Sequence, residues 1–248
     1  MKNHISLFIF AIALLSGPVS ANDLSMTAVK DTLASIPGEH NYIYVRTPLG
    51  EDEEKNYDEI TFYDGLGREL DFAQSYGADR AGAIMAHHHL IEYDSLGRKE
   101  KQWLSTNTSF SYMSPEDLKG GVLWDYHDAG KRSYLQTNYE SSPLNRITEQ
   151  YGVGDAWGDH PARMEYLTNI PADSLRCSFY FIDDNDSLIR RGDYRSGELQ
   201  VTKATDEDGK PTYTFVDKQG RTLLTRLGRG NQQADTYFVF DRFGRIRY

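Results

Sequence analysis

The chain has 248 residues, a formal net charge of −10 at pH 7, 12% aromatic residues, 21 glycines and a single cysteine. The acidic balance, in which no basic residues cluster, argues against nucleic acid or an anionic membrane as a partner. Because one cysteine cannot pair within its own chain, stability must come from packing and not from internal disulfides. The Tyr- and Gly-rich composition favours strands joined by tight turns.

The first 21 residues have the layout of a cleaved secretory signal peptide. Lys2 precedes an apolar run over residues 7–15, a Gly-Pro pair follows, and residues 19–21 are small. The apolar run is shorter than the roughly 20 residues needed to cross a bilayer, and no later stretch comes closer. We therefore predict an exported protein without a transmembrane segment, located in the periplasm, at the cell surface or outside the cell.

Three local patterns follow the signal peptide in chain order. Residues 22–38 form a leader with modest helix potential that ends at a Pro-Gly pair. The acidic run over residues 49–58 is expected to be a solvated loop, with a strand beginning at Glu59. Further along, Ser114 as N-cap, Pro115 in the first turn and two acidic residues after it predict a short surface helix.

A short motif recurs along the chain and is the main structural signal. An aromatic or β-branched residue precedes Asp, Gly follows Asp three positions later, and Arg comes next. Asp opens a turn by accepting backbone hydrogen bonds, and Gly supplies the positive φ of a type I turn with a G1 bulge. Each copy therefore predicts a β-hairpin. The clear copies are residues 63–68, 93–98, 216–221 and 240–245, with Gly67, Gly97, Gly220 and Gly244 at positive φ; looser copies are 126–131 and 205–210.

The YDGLGR and YDSLGR copies resemble the YD repeats of Rhs proteins. Other segments are similar to the amino-terminal module that precedes those repeats in one branch of the family, and the likeness extends over about residues 41–248. It implies an all-β fold in which successive β-hairpins form a curved, open sheet or a partial Rhs-type shell, with at most one or two short helices. The similar segments are residues 41–48, 139–146, 154–157, 165–169, 194–199 and 235–241.

One YD/Rhs-like β-hairpin domain is expected over residues 39–248, since no linker divides it. By resemblance, full-length relatives also carry a core region and often a C-terminal toxin enclosed by the shell. Neither is expected in this sequence, which looks like the beginning of a shell without its contents. The predicted function is therefore that of an exported, non-catalytic shell or scaffold segment, a fragment or accessory of a larger toxin-encapsulating assembly.

Residues 235–248 are predicted to contact a partner. Asp235 to Phe240 and Arg245 to Tyr248 are expected to be two strands around the last turn. An open aromatic edge of this kind is a template for pairing with another chain. We therefore expect self-association, or binding of a separately encoded shell segment, through this edge.

The histidines are the strongest candidates for a metal site. His87 and His89 would share one face of a strand and could join His127 or His160 around zinc. No Cys or HExxH-type spacing accompanies them, and a half-exposed strand explains the same pattern. No metal, cofactor or catalytic residue is assigned.

Two further features have simpler structural interpretations. Cys177 lies in a segment that alternates like a strand, which favours a small buried apolar residue. Residues 183–187 resemble a calcium loop but lack the Gly and Glu of an EF-hand, so a polar hairpin turn is favoured. The chain has no nucleophile elbow, Walker loop or dinucleotide fingerprint, and an enzyme is not predicted.

Two alternatives to the scaffold remain open. One is a surface module that binds carbohydrate or protein, with Trp103 and Trp157 as stacking platforms. The other is a metal-dependent hydrolase that uses the histidines.

Overall fold

A computed structural model describes residues 29–31, 33–48, 56–78, 84–229 and 232–248; the predicted signal peptide and most of the acidic run lie outside them. These residues are mostly antiparallel β-structure with two short helices and single turns of 3-10 helix, which confirms the all-β prediction. They group into two compact units, residues up to 135 with 153–155, and residues 136–152 with 156–248. One continuous domain over residues 39–248 stays a prediction.

The first unit is an antiparallel sheet with strand order β1-β2-β3-β4-β5, and β6 also pairs with β4. The described residues of the leader, 29–31 and 33–35, are helical. The elements of this unit are β1 (Asn41–Pro48), β2 (Asn56–Tyr63), β3 (Glu69–Ala78), β4 (Ile84–Tyr93), β5 (Lys99–Trp103), β6 (Thr106–Ser109) and the helix α1 (Pro115–Asp125).

Helix α1 begins where the sequence predicts. The Ser114 side chain accepts a hydrogen bond from the Asp117 amide at 3.1 Å, and Pro115 occupies the first turn. Leu118 and Val122 are buried, so this short helix is held by packing as well as by its cap. No helix in the described ranges is long and apolar enough to cross a membrane.

Alternation along β2, β3 and β4 builds the core of the first unit. Every second residue points inward, which buries Ile60, Phe62, Ala73 and Ala86 together with Phe110. Tyr42 and Tyr44 of β1 pack against this cluster from the same side.

Strand β2 begins at Asn56, so the prediction of a solvated loop is wrong for residues 56–58. The register places Asp58 opposite Arg46, and the guanidinium donates to its carboxylate at 2.7 and 3.0 Å. The Tyr44 hydroxyl donates to the same carboxylate at 2.7 Å. Asp58 is only 5% exposed, and an acid that has a cross-strand arginine partner can be buried in the sheet.

The second unit is an antiparallel sheet with strand order β7-β8-β9-β12-β13-β14-β15, and β10 pairs only with β11. Its core consists of Cys177, Leu199, Val201, Tyr213, Phe215, Leu223 and Leu224. Its strands are β7 (Tyr134–Tyr139), of which the first two residues belong to the first unit, β8 (Ile147–Tyr151), β9 (Ala162–Thr168), β10 (Ser178–Ile182), β11 (Leu188–Asp193), β12 (Gln200–Thr205), β13 (Pro211–Val216), β14 (Thr222–Arg229) and β15 (Gln232–Tyr237).

The last residues depart in detail from the two predicted strands. Strand β15 spans Gln232–Tyr237 and not 235–240. Beyond it, one isolated bridge joins Phe240 and Ile246, and the Val239 amide donates to the Tyr248 carbonyl at 2.8 Å. The segment from Arg245 to Tyr248 therefore folds back as predicted but makes too few ladder bonds to be a regular strand.

Candidate functional site

Four hairpin turns share one pattern of hydrogen bonds built on the Asp and Arg of the motif. In the first, Asp64 Oδ1 accepts from the amides of Leu66 and Arg68 at 2.8 and 2.9 Å. Asp64 Oδ2 accepts from Arg68 Nε at 2.7 Å, so the arginine closes its own turn. The same bonds recur between Asp94 and Arg98, Asp217 and Arg221, and Asp241 and Arg245.

The predicted backbone conformation of these turns is confirmed. In each turn the glycine amide donates to the Asp carbonyl at 2.9 or 3.0 Å. A positive φ closes the turn, and glycine adopts it without a steric penalty. The φ angles are 78° at Gly67, 81° at Gly97, 79° at Gly220 and 76° at Gly244.

The looser sequence copies give mixed results. Residues 206–210 form the backbone of the turn, with Gly209 at φ 77° and the Lys210 amide donating to Asp206 Oδ1 at 2.7 Å. The Lys210 side chain donates to Asp208 at 3.0 Å, whereas the motif arginine donates to the first Asp of its turn. Residues 126–131 do not form a hairpin, because Tyr126 caps helix α1 and a 3-10 turn follows. The predicted polar turn at residues 183–187 is confirmed: the Asn185 and Ser187 amides donate to Asp183 between β10 and β11.

Successive turns contact each other through the arginine of one and the aromatic residue of the next. The Arg68 guanidinium lies 4.5 Å from the ring centroid of Tyr93, the residue that precedes Asp94. A Cβ at Gly97 would lie 2.9 Å from an Arg68 nitrogen, so the glycine also leaves room for this guanidinium. In the second unit, Arg221 lies 5.0 Å from the ring of Phe240 in the same relation.

A longer turn with the same arrangement was not predicted. Arg146 donates to the Glu140 carboxylate at 2.8 and 2.7 Å, and the Glu140 amide donates to the Arg146 carbonyl at 2.9 Å. The guanidinium then lies 4.5 Å from the ring of Tyr166. The signal in the sequence is an aromatic-acid pair followed by Arg, as in the shorter motif, but with a longer insertion between them.

Alanine at the two turn glycines of the first unit is expected to have unequal effects. Gly67→Ala should lower the free energy of unfolding by about 1 kcal/mol, because an L-residue is strained at positive φ. Gly97→Ala should cost roughly 0.5 kcal/mol more, because it also displaces Arg68 from Tyr93. Urea unfolding measures both variants. The additional loss of stability in Gly97→Ala should vanish when Arg68 is also replaced by alanine. Equal losses in Gly67→Ala and Gly97→Ala would contradict the contact between turns.

The turn carboxylates are held in their ionised form. The Arg68 amide, followed by its guanidinium, lowers the pKa of Asp64 below its ordinary value of 3.8, against an opposing effect of desolvation. Hydrogen bonds from Arg146 and Ser142 lower the pKa of Glu140 to about 2. These carboxylates stabilise their turns in the ionised form, because protonation would remove the negative charge that pairs with the arginine.

Acid should destabilise the turns. A depressed pKa means that the folded chain binds fewer protons than the unfolded one, so the stabilisation is present above the unfolded pKa values of 3.8 for Asp and 4.5 for Glu. It is lost as pH falls towards the folded value of about 2 at Glu140. Urea midpoints should be steady near neutral pH and fall below about pH 4.5. Glu140→Gln should make the fall shallower, and an unchanged slope would contradict the assignment.

Of the three consecutive histidines, the buried one is His88, which the candidate metal site left out, whereas His87 and His89 are half-buried. His88 is buried, with Nδ1 2.7 Å from Asp71 Oδ2 and Nε2 3.0 Å from the Ser109 carbonyl oxygen. Both partners accept hydrogen bonds, so the geometry fits a doubly protonated imidazolium paired with the Asp71 carboxylate. Burial lowers the pKa of His89. In the described part of the chain, no three His, Cys, Asp or Glu residues are placed to hold a metal ion.

The other two histidines of the candidate metal site, His127 and His160, lie elsewhere. His127 is exposed in the 3-10 turn after α1, in the first unit, and His160 is exposed in the second. Within the first unit, the hydrogen-bond partners of His88 are Asp71 and Ser109, and His127 is not among them.

Cys177 is the small buried residue that the sequence predicts. Its side chain lies in the core of the second unit, immediately before β10, and is fully buried. Burial raises the pKa of the thiol to about 12, so the thiolate that nucleophilic chemistry requires is not populated at neutral pH.

The tryptophans differ in their availability to a ligand. Trp103 donates from Nε1 to Glu92 at 3.0 Å, and its ring centroid lies 4.8 Å from that of Tyr134, so it is committed to internal contacts. Trp157 is 46% exposed, and Trp124 on helix α1 is 83% exposed. Trp124 was not predicted, because the short helix gives little indication of which face it exposes.

Aromatic side chains line a cavity of about 110 Å³ in the second unit. Arg221 lines it too, but its guanidinium is already bonded to Asp217 at 2.7 Å. The Tyr237 hydroxyl accepts a hydrogen bond from the Ser178 amide at 3.2 Å. The aromatic lining residues are Phe179, Tyr180, Phe181, Tyr194, Tyr237, Phe238 and Phe240.

Comparison with known proteins places the chain in a family without assigning it an activity. A family model described as a domain of unknown function, DUF6443, matches residues 41–168, just over half of the chain. The chain belongs to the DUF6443 family. No curated protein matches it at a significant level.

The DUF6443 region and the repeated turns overlap only in part. The region runs from the start of β1 to the end of β9 and includes the turns at Asp64, Asp94 and Glu140. The turns at Asp217 and Asp241 and the aromatic cavity lie after it. The same turn chemistry therefore continues beyond the DUF6443 region to the last residues of the sequence.

Proposed function

We propose that this DUF6443 protein is an exported, non-catalytic shell or scaffold segment of the Rhs/YD-repeat type, which acts by pairing with another polypeptide. The observation that carries the proposal is the contact between successive turns, in which Arg68 lies on Tyr93 and Arg221 on Phe240. Each turn thus supplies both halves of a docking contact, an aromatic ring and a guanidinium. A chain built from such units is suited to receiving further hairpins.

The side chains that could carry out catalysis are already bonded or buried within the fold, which favours a structural role. The aspartates of the repeated motif accept turn amides and their own arginines. His88 and Asp71 are bonded to each other inside the first unit, and Cys177 is a buried, protonated thiol. A hydrolase that used these groups would first have to break the bonds that hold its own fold.

The proposals that the protein is exported and that it joins an assembly are supported by its sequence. The signal-peptide layout of residues 1–21 supports passage across a membrane. The resemblance of the YDGLGR and YDSLGR motifs to Rhs repeats supports a place in a toxin-encapsulating assembly. Residues 235–248 are the segment proposed to meet the partner, which is a separate shell chain or a second copy.

Isolation of the exported protein in its native state tests this function. Non-denaturing purification from the producing cells should recover a second polypeptide, in near-equimolar amount, whose sequence carries several aromatic-Asp-x-x-Gly-Arg turns. The double variant Arg245→Glu, Ile246→Glu should lose it, whereas Arg191→Glu, an exposed charge on β11, should retain it. A monomer recovered without any partner would contradict the scaffold role.

A carbohydrate- or protein-binding surface module is the second candidate. The exposed indoles of Trp124 and Trp157 favour it, because such rings stack on sugar faces. If this is the function, binding to a glycan array should fall sharply in Trp124→Ala or Trp157→Ala. Trp103 is no longer a candidate for sugar stacking, because its ring makes internal contacts. Absence of glycan binding by the folded protein would remove the carbohydrate form of this candidate. A metal-dependent hydrolase ranks below both, because His88 is bonded to Asp71 inside the core.

A further inference from the structure

The aromatic cavity of the second unit is lined by rings that keep part of their surface exposed. It measures about 110 Å³, and strand β10 and residues 237–240 supply most of its walls. All seven lining rings are half-buried, whereas the two aliphatic residues of the lining, Leu223 and Val239, are buried. A ligand in this cavity therefore covers aromatic surface, and such burial contributes strongly to binding.

Rings in the lining meet in pairs, edge to face. The ring centroids of Phe179 and Tyr194 lie 5.0 Å apart with the planes at 68°. Those of Tyr180 and Tyr237 lie 4.9 Å apart with the planes at 70°. This arrangement is favourable because the positive edge of one ring meets the negative face of the other. An added aromatic ring can make the same contacts with the lining, whereas an aliphatic group cannot.

The charges around the cavity select a neutral ligand. In the described part of the chain, Arg221 is the one charged residue of the lining, and its guanidinium already donates to Asp217 at 2.7 Å and to Gln219 at 3.2 Å. Burial raises the pKa of Tyr194 to about 12 and also raises that of Tyr237, so both hydroxyls are uncharged at neutral pH. An ionic ligand would lose its hydration here without gaining an unpaired opposite charge.

A cavity of this size accommodates one ring. An apolar protein cavity of about 150 Å³ binds benzene, whereas pockets for whole small molecules measure about 300–1,000 Å³. A free molecule limited to one ring gains little affinity, because binding free energy per non-hydrogen atom has an upper limit. A ring carried by a polypeptide adds contacts outside the cavity, as the anchor residues of protein interfaces do.

We propose that the aromatic cavity receives one Phe or Tyr side chain of the separate polypeptide that pairs with this protein. The ring packs against the lining rings, and the polypeptide that carries it contacts the surface around the cavity. This inference rests on the proposed scaffold function, because residues 237–240 of the lining belong to the segment 235–248 that is proposed to meet the partner.

The exposed rings of a second copy of the chain fit the cavity poorly. Among the described residues, three aromatic side chains are more than half exposed, namely Trp124, Phe243 and Tyr248. The indole of Trp124 is larger than a single ring. Phe243 lies 4.9 and 5.2 Å from two guanidinium groups, which would enter the apolar lining with it. The Tyr248 carbonyl accepts from the Val239 amide, so this residue is held beside the cavity of its own chain.

Side-chain analogues test the cavity directly by ligand-observed NMR with the full chain. The compounds p-cresol and toluene reproduce the rings of Tyr and Phe, and n-butylamine, which is cationic at neutral pH, reproduces Lys. We expect p-cresol and toluene to bind and n-butylamine not to bind. Phe181→Leu and Phe238→Leu, which each replace a lining ring by an aliphatic group, should weaken ring binding about fivefold.

The matched control is Phe72→Leu, which replaces a half-buried ring of the first unit and should bind both compounds as the unaltered chain does. Circular dichroism first confirms that each variant is folded. A folded chain that binds neither ring compound, equal affinity in both lining variants, or binding of n-butylamine would overturn the proposal. A dimer in light scattering that p-cresol dissociates would identify a second copy as the occupant and would overturn the choice of a separate chain.

Native isolation from the producing cells then shows whether the partner uses the cavity. Phe181→Leu and Phe238→Leu should recover clearly less of the partner than the unaltered chain, and Phe72→Leu should recover as much. Equal recovery with all variants would reduce the cavity to binding at probe concentration only, so the scaffold function would stand and this contact would not. If the ring compounds bind as expected but no partner accompanies the exported protein, the ring site stands and the scaffold function does not.

Discussion

Replacing His88 by alanine should lower the free energy of unfolding by about 3–5 kcal/mol, because it leaves the buried Asp71 carboxylate without its charged partner. Asp71 is 4% exposed and His88 1% exposed, and Asp71 Oδ1 has no hydrogen-bond partner among the described residues even with the imidazole in place. The register puts His88 opposite Ala73, whose small side chain leaves space for the ring next to Asp71. Chemical denaturation measures the loss.

The exposed His127 supplies the matched control for this prediction. His127→Ala should change stability by less than about 0.5 kcal/mol, as is usual for an exposed side chain. The double variant Asp71→Val, His88→Leu should regain at least half of the loss, because replacing both members of a buried pair by apolar residues is often neutral. A single His88→Ala variant as stable as His127→Ala would show that the pair is not charged and coupled.

Arg226→Ala should lower the free energy of unfolding of the second unit by about 3 kcal/mol. Arg226 is 4% exposed and donates to both carboxylate oxygens of Asp235 at 2.7 Å. Its remaining terminal nitrogen donates to the carbonyls of Ser174 and Arg176, both at 2.9 Å. One side chain thus joins strands β14 and β15 to the 3-10 turn that precedes the core residue Cys177.

Replacing Arg226 by lysine distinguishes the contribution of the positive charge from that of the planar guanidinium. Arg226→Lys keeps the charge but loses the planar fork, so it should recover less than half of the loss. Arg191→Ala, at an exposed site on β11, should have almost no effect. Full recovery by lysine would mean that charge alone accounts for the role of Arg226.

Local turn chemistry could be predicted from the sequence, whereas partners across strands could not. Asp64 and Gly67 act within one turn, so the turn could be assigned without knowing the fold, whereas the bond from the Arg68 side chain to Asp64 was not predicted. The contact of Arg68 with Tyr93 depends on which hairpins are neighbours in the sheet. The burial of Asp58 depends in the same way on the register that places Arg46 opposite it.

Two further features were beyond sequence reasoning for the same physical reason. Alternation in β4 indicates that one face is buried, but it does not show that His88 would find an acid on the inner face of β3. Strand β12 pairs with β9 across the inserted hairpin of β10 and β11, and nothing local indicates that non-sequential pairing.

A double-mutant cycle between Arg68 and Tyr93 is the most direct test of whether hairpins of this chain hold one another through arginine-on-aromatic contacts. The variants are Arg68→Met, Tyr93→Leu and their combination, and urea unfolding gives the free energy of each. The cycle cancels the separate loss of the hydrogen bond from the Tyr93 hydroxyl to the Glu69 carbonyl. We predict a favourable coupling energy of about 0.5–1 kcal/mol. Strictly additive losses would contradict hairpin-on-hairpin docking as the basis of the proposed scaffold.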